Sequence, residues 1–159
     1  LAVDILLSSR AMENAVVSVL NDMAATRAAV IKPEKLPCFD QTLMHAHITF
    51  EGQSSGELGL LMDPGFAAEL ASRILGVDKS GDLLQEMIVD AVKELLNVIC
   101  GQFLTQRFGY EPAFTLGVPR VFPLSAQVCN ALLKGPSILI FQSGDFIMPA
   151  YVRVKVQTA

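Results

Sequence analysis

Asp90-Ala91-Val92-Lys93-Glu94-Leu95-Leu96-Asn97-Val98-Ile99-Cys100-Gly101 is the stretch on which the reading of this chain turns. At about 100° per residue, Asp90, Glu94, Asn97 and Gly101 fall in a stripe roughly 60° wide along one side of a helix. Ile88, Val92, Leu95, Leu96, Ile99 and Phe103 share the opposite side, an apolar face wide enough to bury against a sheet. The polar stripe therefore looks outward. Gly101 belongs to it, although glycine costs a helix interior about 1 kcal/mol relative to alanine, and a position without a Cβ lets another backbone come close. Spacing alone leaves two readings open: a helix face kept polar to stay in water, or a surface on which a partner docks.

On either side of this helix the punctuation is clear. The turn Gly76 to Gly81 precedes it, Asp82 is placed to cap it, and it runs to Gly109. Upstream, Asp63-Pro64 followed by Phe66, Leu70 and Ile74 predicts a shorter helix ending at Gly76. Leu43 to Phe50 and Gly59 to Met62, joined by a small polar loop, read as an antiparallel hairpin. Ile5 to Val30 lacks Gly and Pro and spaces Ile5, Met12, Val16, Leu20 and Met23 for a long first helix. Beyond Pro112, the prolines at 119, 123 and 136 break the pattern. Ser137 to Gln142 and Ile147 to Val156 then read as strands about a tight Ser143-Gly144-Asp145 turn. The order predicts an α+β fold with long helices packed on a largely antiparallel sheet, and a faint two-fold repeat of helix followed by strands. The last strand contains Pro149, which suggests a sheet edge that could pair with its twin.

Bulk properties narrow the classes. The 159 residues fit one domain, 1–159, and 52% hydrophobic against 18% charged residues describes a packed chain rather than a disordered one. A net charge of -4 opposes binding to a phosphate backbone, so nucleic acid is not an expected partner. No apolar run reaches the roughly 18 to 20 residues of a membrane span, and the opening residues lack a basic leader. Cys38, Cys100 and Cys129 are widely spaced with no CxxC, which fits reduced thiols and a cytoplasmic protein. Cys100 has no basic neighbour in sequence to activate it and reads as packing. His45 and His47 share one face of a strand as two ligands would, but no third ligand is evident, and no metal site is expected. The Gly76 to Asp82 turn lacks the GxxxxGK[ST] spacing of a phosphate loop.

Asp90, Glu94, Asn97 and Gly101 together resemble the signature of the chemotaxis phosphatases CheX and CheC and of their flagellar-switch relative FliY: Asp or Ser, three residues, Glu, two residues, Asn, and Gly four further on. The resemblance extends to the Gly-Glu-leading strand Gly56-Glu57-Leu58-Gly59-Leu60 and to the helix ending in Leu75-Gly76. CheC-type members carry the signature twice, whereas the first helix here offers only Ser9, Glu13 and Val16 at matching positions, so one working copy per chain is implied, as in CheX. The resemblance implies a pseudo-two-fold fold and hydrolysis of the aspartyl phosphate on a CheY-like response regulator. In that chemistry Glu94 and Asn97 are the catalytic pair, while Asp90 and Gly101 face the partner. No cofactor of its own is implied, since the receiver domain brings Mg²⁺ and a lysine. A homodimer is also implied. The alternative is a receiver-binding or flagellar-switch-like module that hydrolyses nothing.

Overall fold

The computed structural model describes residues 2–78 and 80–155. Its helices are α1 (Ala2–Ala24), α2 (Pro64–Leu75), α3 (Gln85–Phe108) and α4 (Ala126–Leu132). Its strands are β1 (Ala29–Ile31), β2 (Leu43–Glu51), β3 (Ser55–Met62), β4 (Thr115–Leu116), β5 (Arg120–Leu124), β6 (Ile138–Ser143) and β7 (Phe146–Lys155). They form one sheet in the order β1-β6-β7-β3-β2-β4, with β5 also paired to β2, and every pairing is antiparallel.

Two halves share a plan. Each is a long helix, a short strand or strand pair, and a hairpin: α1, β1 and β2–β3, then α3, β4–β5 and β6–β7. The hairpins join where β3 pairs with β7, from Ser55↔Lys155 to Leu60↔Ala150. Each half lends its short strand to the first strand of the other hairpin, β1 to β6 and β4–β5 to β2. This exchange is the faint repeat of the sequence made concrete.

Alternation along the strands fixes which side meets the helices. Met44, Ala46, Ile48 and Phe50 of β2, Leu58, Leu60 and Met62 of β3, and Met148, Ala150 and Val152 of β7 all enter one core with the apolar faces of α1, α2 and α3. Each large side chain fully buried there contributes about 1.5–3 kcal/mol. The last turn of α3 meets the first two turns of α1, where Arg107 donates to Ser8 Oγ at 3.1 Å and to Asp4 Oδ1 at 3.2 Å. On the other face of the sheet, α4 covers only one end, packing Cys129 and Leu132 on Leu43 and Leu61.

Several expectations need correcting. The first helix stops at Ala24 rather than Val30, because Ala25 turns to φ +46 and the Thr26 N–H closes back on Leu20 O at 3.1 Å, freeing Ala29–Ile31 to pair with β6. Asp82 does not cap α3; it lies in a 3₁₀ turn, Ser80–Asp82, and Leu84 occupies the cap position with no side-chain bond. β4, β5 and α4 lie in the proline-rich stretch where no element was expected. β7 is not an edge: β3 and β6 flank it. Pro149 fits because it lies one residue past the last β3–β7 pair, where a missing N–H on the β3 side costs no ladder bond. The caps of α2 are as read: Asp63 Oδ1 accepts from Gly65 N at 2.7 Å, Pro64 opens the helix, and Gly76 closes it at φ +69.

Candidate functional site: the outward stripe of α3

α3 is anchored by Ile88, Val92, Leu95, Leu96, Ile99 and Phe103, all buried, as the apolar face required. The same periodicity turns Asp90, Glu94 and Asn97 to the surface, where all three are exposed, and leaves Gly101 half-buried. The four follow one another over about 16 Å of helix. Glu94 and Asn97, three residues apart, are neighbours on that surface, so a carboxylate and a carboxamide project side by side. Neither is bonded to another side chain among the described residues, and Asp90 makes no ion pair with Lys93. The groups stand free for a partner.

Gly101 has an ordinary helical backbone, and a Cβ added there would meet nothing within 4 Å. Neither conformation nor internal packing asks for glycine at this position. On α1 the matching residues do not make a second stripe. Val16 is fully buried, and the exposed side is one residue out of step, presenting Arg10 and Asn14 instead of a carboxylate and an amide of the right spacing. Of the two long helices, α3 carries the pair and α1 does not.

Among the described residues, no group of three or more His, Cys, Asp or Glu side chains converges as a metal site requires. Cys100 is wholly buried and burial pushes its thiol up to about 12, so it stays a packing residue. The stripe thus holds an acceptor-donor amide and a carboxylate, with no nucleophile beside them.

A cluster that sequence reading did not assemble lies on the face of the sheet away from these helices. Buried His45 meets Tyr151 Oη at 2.8 Å, while Glu57 bonds His47 at 2.7 Å and Arg153 at 3.1 Å. The Arg153 guanidinium lies 4.8 Å from the centre of the Tyr151 ring. Burial, reinforced by His47, holds His45 down at about 4, and burial with the Glu57 charge pushes Tyr151 up to about 12. Burial alone would raise Glu57, but the bonds from His47 and Arg153 outweigh it and hold the carboxyl below its ordinary value. The two histidines share a face as expected and are engaged in separate pairs. Only the cross-strand register brings Tyr151 to them, 106 residues away in the chain from His45.

The antiparallel sheet with its exchanged short strands, packed against long helices of which α3 presents Glu94 and Asn97 outward, defines the class as a two-halved α+β domain. Residues 44–140, more than half of the chain, match the family model of the chemotaxis phosphatase CheX, and the chain belongs to that family. No curated protein matches it. Among solved structures, a chemotaxis protein CheX from Desulfovibrio desulfuricans superposes with a TM-score of 0.71 at 18% identity, covering 93% of this chain and 99% of its own. The CheX–CheY–BeF3–Mg²⁺ complex from Borrelia burgdorferi matches with a TM-score of 0.67 at 21% identity, over 92% and 97% of the two chains. A CheC-like superfamily protein from Shewanella gives 0.68 at 21% identity, over 97% and 99%. These likenesses establish the fold.

Proposed function

We propose that this chain is a phosphatase for the aspartyl phosphate of a CheY-like response regulator. The observation that carries the reading is the pair Glu94 and Asn97, exposed, adjacent and unbonded to other side chains among the described residues, on a helix whose apolar face is buried. It is supported by membership of a family of chemotaxis phosphatases and by the relative from Borrelia burgdorferi, which forms a complex with CheY.

The acyl phosphate is already reactive, so the protein's task is to place a water. Water attacks phosphorus, the bond from phosphorus to the aspartyl oxygen breaks, inorganic phosphate leaves, and the receiver's carboxylate is restored. Asn97 can accept from that water and donate beside it without adding negative charge to a phosphoryl group already rich in it. A carboxylate there would repel. In favourable cases such positioning is worth about 7 to 11 kcal/mol. Glu94, one turn earlier, pairs with the receiver's active-site lysine and aligns α3 on its surface. Asp90 and Gly101 extend the contact at either end. The receiver's own Mg²⁺ neutralises charge on the phosphoryl oxygens. The protein works as one cytoplasmic domain and as a homodimer.

Following phosphate loss from a labelled receiver, with and without this protein, tests the reading. Acceleration is the expected result. Binding without acceleration would replace the enzyme with a receiver-binding module of the flagellar-switch kind, and a single copy by light scattering would remove the homodimer.

A further inference from the structure

Where α3 ends, the surface holds a shallow depression of about 390 Å³, lined by Gly101, Gln102, Thr105, Gln106 and Tyr110. We infer that this depression receives a main-chain segment of the receiver, with Tyr110 as the apolar anchor at its rim; the inference rests on the receiver-phosphatase reading given above.

Three observations meet here. Gly101 lines the depression although nothing in its own fold requires a glycine, since its backbone is helical and a Cβ would have free space. A mid-helix glycine is unfavourable, so the room it leaves serves something outside the chain. Tyr110 is 92% exposed, the most exposed large apolar side chain among the described residues. It is carried there by Gly109, whose N–H closes α3 on Thr105 O at 2.8 Å and whose φ of +87 suits glycine and few other residues. Aromatic side chains with a polar tip are enriched at the centres of interfaces, because they bury a large area at little cost in rotamer freedom. The rest of the lining is neutral: two carboxamides and a hydroxyl, able to donate and accept but offering no counter-ion. That chemistry suits the N–H and C=O groups of a backbone better than a charged side chain or a phosphate.

Position identifies the occupant. Gly101 follows Asn97 by about 6 Å of rise on the same face of α3. A receiver whose phosphoryl group reaches the water held by Asn97 has its surface within one helical turn of Gly101, close enough for a neighbouring main-chain segment to enter the depression. Tyr110 and the carboxamides are therefore affinity determinants, while Asn97 governs turnover.

The test uses the full chain and the receiver domain that the wild type dephosphorylates fastest, phosphorylated with labelled acetyl phosphate. Gly101→Ala is expected to raise Tm by about 2–4 °C through better helix propensity while raising KM about threefold. Opposite signs of that kind are not produced by structural damage. Gly101→Leu should raise KM at least about tenfold, and Tyr110→Ser about tenfold with Tm unchanged, each with kcat within about twofold of wild type. Variants that keep the wild-type KM, or that lose kcat as much as they gain KM, overturn the inference and leave the phosphatase reading standing. If Tyr110→Ser instead dissociates a dimer in light scattering at unchanged KM, the depression belongs to a second copy and the inference falls. A wild type that accelerates no receiver removes the phosphatase reading, and this inference with it.

Discussion

Tyr151 reaches His45 across an intervening strand only because Gly59 lies beneath it. Gly59 pairs with His47 on one side and Tyr151 on the other, and a Cβ at Gly59 would fall 2.2 Å from the tyrosine ring. Gly59→Ala should destabilise the fold by about 2–3 kcal/mol, the cost of overpacking a site that cannot yield. In the double variant with Tyr151→Ala the two losses should sum to less than their separate values, because the clash disappears with the ring. Chemical denaturation measures both, and strict additivity would show that the ring is not what Gly59 accommodates. None of this was legible in the sequence, where Gly59 reads as one more residue of a strand and its reason lies almost at the chain's other end. The α3 pair is the opposite case. The spacing of Glu94 and Asn97 showed their common face directly, because a helix writes its geometry into local sequence and a sheet does not.

At the scale of elements, legibility followed the chemistry of the ends. α2 was marked at both: Asp63 and Pro64 at its start, Gly76 at its close. α1 ends on Ala25 at φ +46, a left-handed conformation for which the sequence gives no sign, so the helical pattern seemed to run six residues too far. Ala25→Gly should therefore stabilise the protein by about 0.5–1 kcal/mol, the relief of that backbone exceeding glycine's extra freedom in the unfolded chain. A lower melting temperature for this variant would contradict the capping account. β4 and β5 escaped notice because short strands interrupted by Pro119 and containing Pro123 look like loop, and only pairing along the outside of β2 makes them strands.

The whole molecule is two similar halves with one equipped surface. The paired hairpins and exchanged short strands were legible only as a weak repeat, since the exchange is a long-range event. That α3 rather than α1 presents a carboxylate and an amide on one exposed face was legible, and on α1 the matching Val16 is buried. The outer-face network ties overall stability to pH. His45 is held at about 4 against an ordinary 6.5, so below pH 6.5 the unfolded chain takes a proton that the folded one refuses. The stability lost between pH 6.5 and 4 is at most about 3 kcal/mol. Glu57, held below its ordinary 4.5, adds stability that is present above that value and is lost as pH falls toward its folded value, in the same direction. Denaturation midpoints should fall steadily from pH 7 to 4, and His45→Gln should flatten the slope between 6.5 and 4. A wild type that gains stability on acidification would be inconsistent with a neutral, buried His45.

The proposed function rests on a division of labour along α3, in which Asn97 would hold the water and Glu94 the partner. Dephosphorylation of a labelled receiver, measured across receiver concentration for wild type, Asn97→Ala, Glu94→Ala and the double variant, tests it most directly. Asn97→Ala should lose the acceleration, with kcat down about 10²-fold or more and KM little changed, while Glu94→Ala should weaken binding and turnover together, both keeping the wild-type Tm. A double variant that dephosphorylates the receiver as fast as wild type would contradict the assignment of both residues.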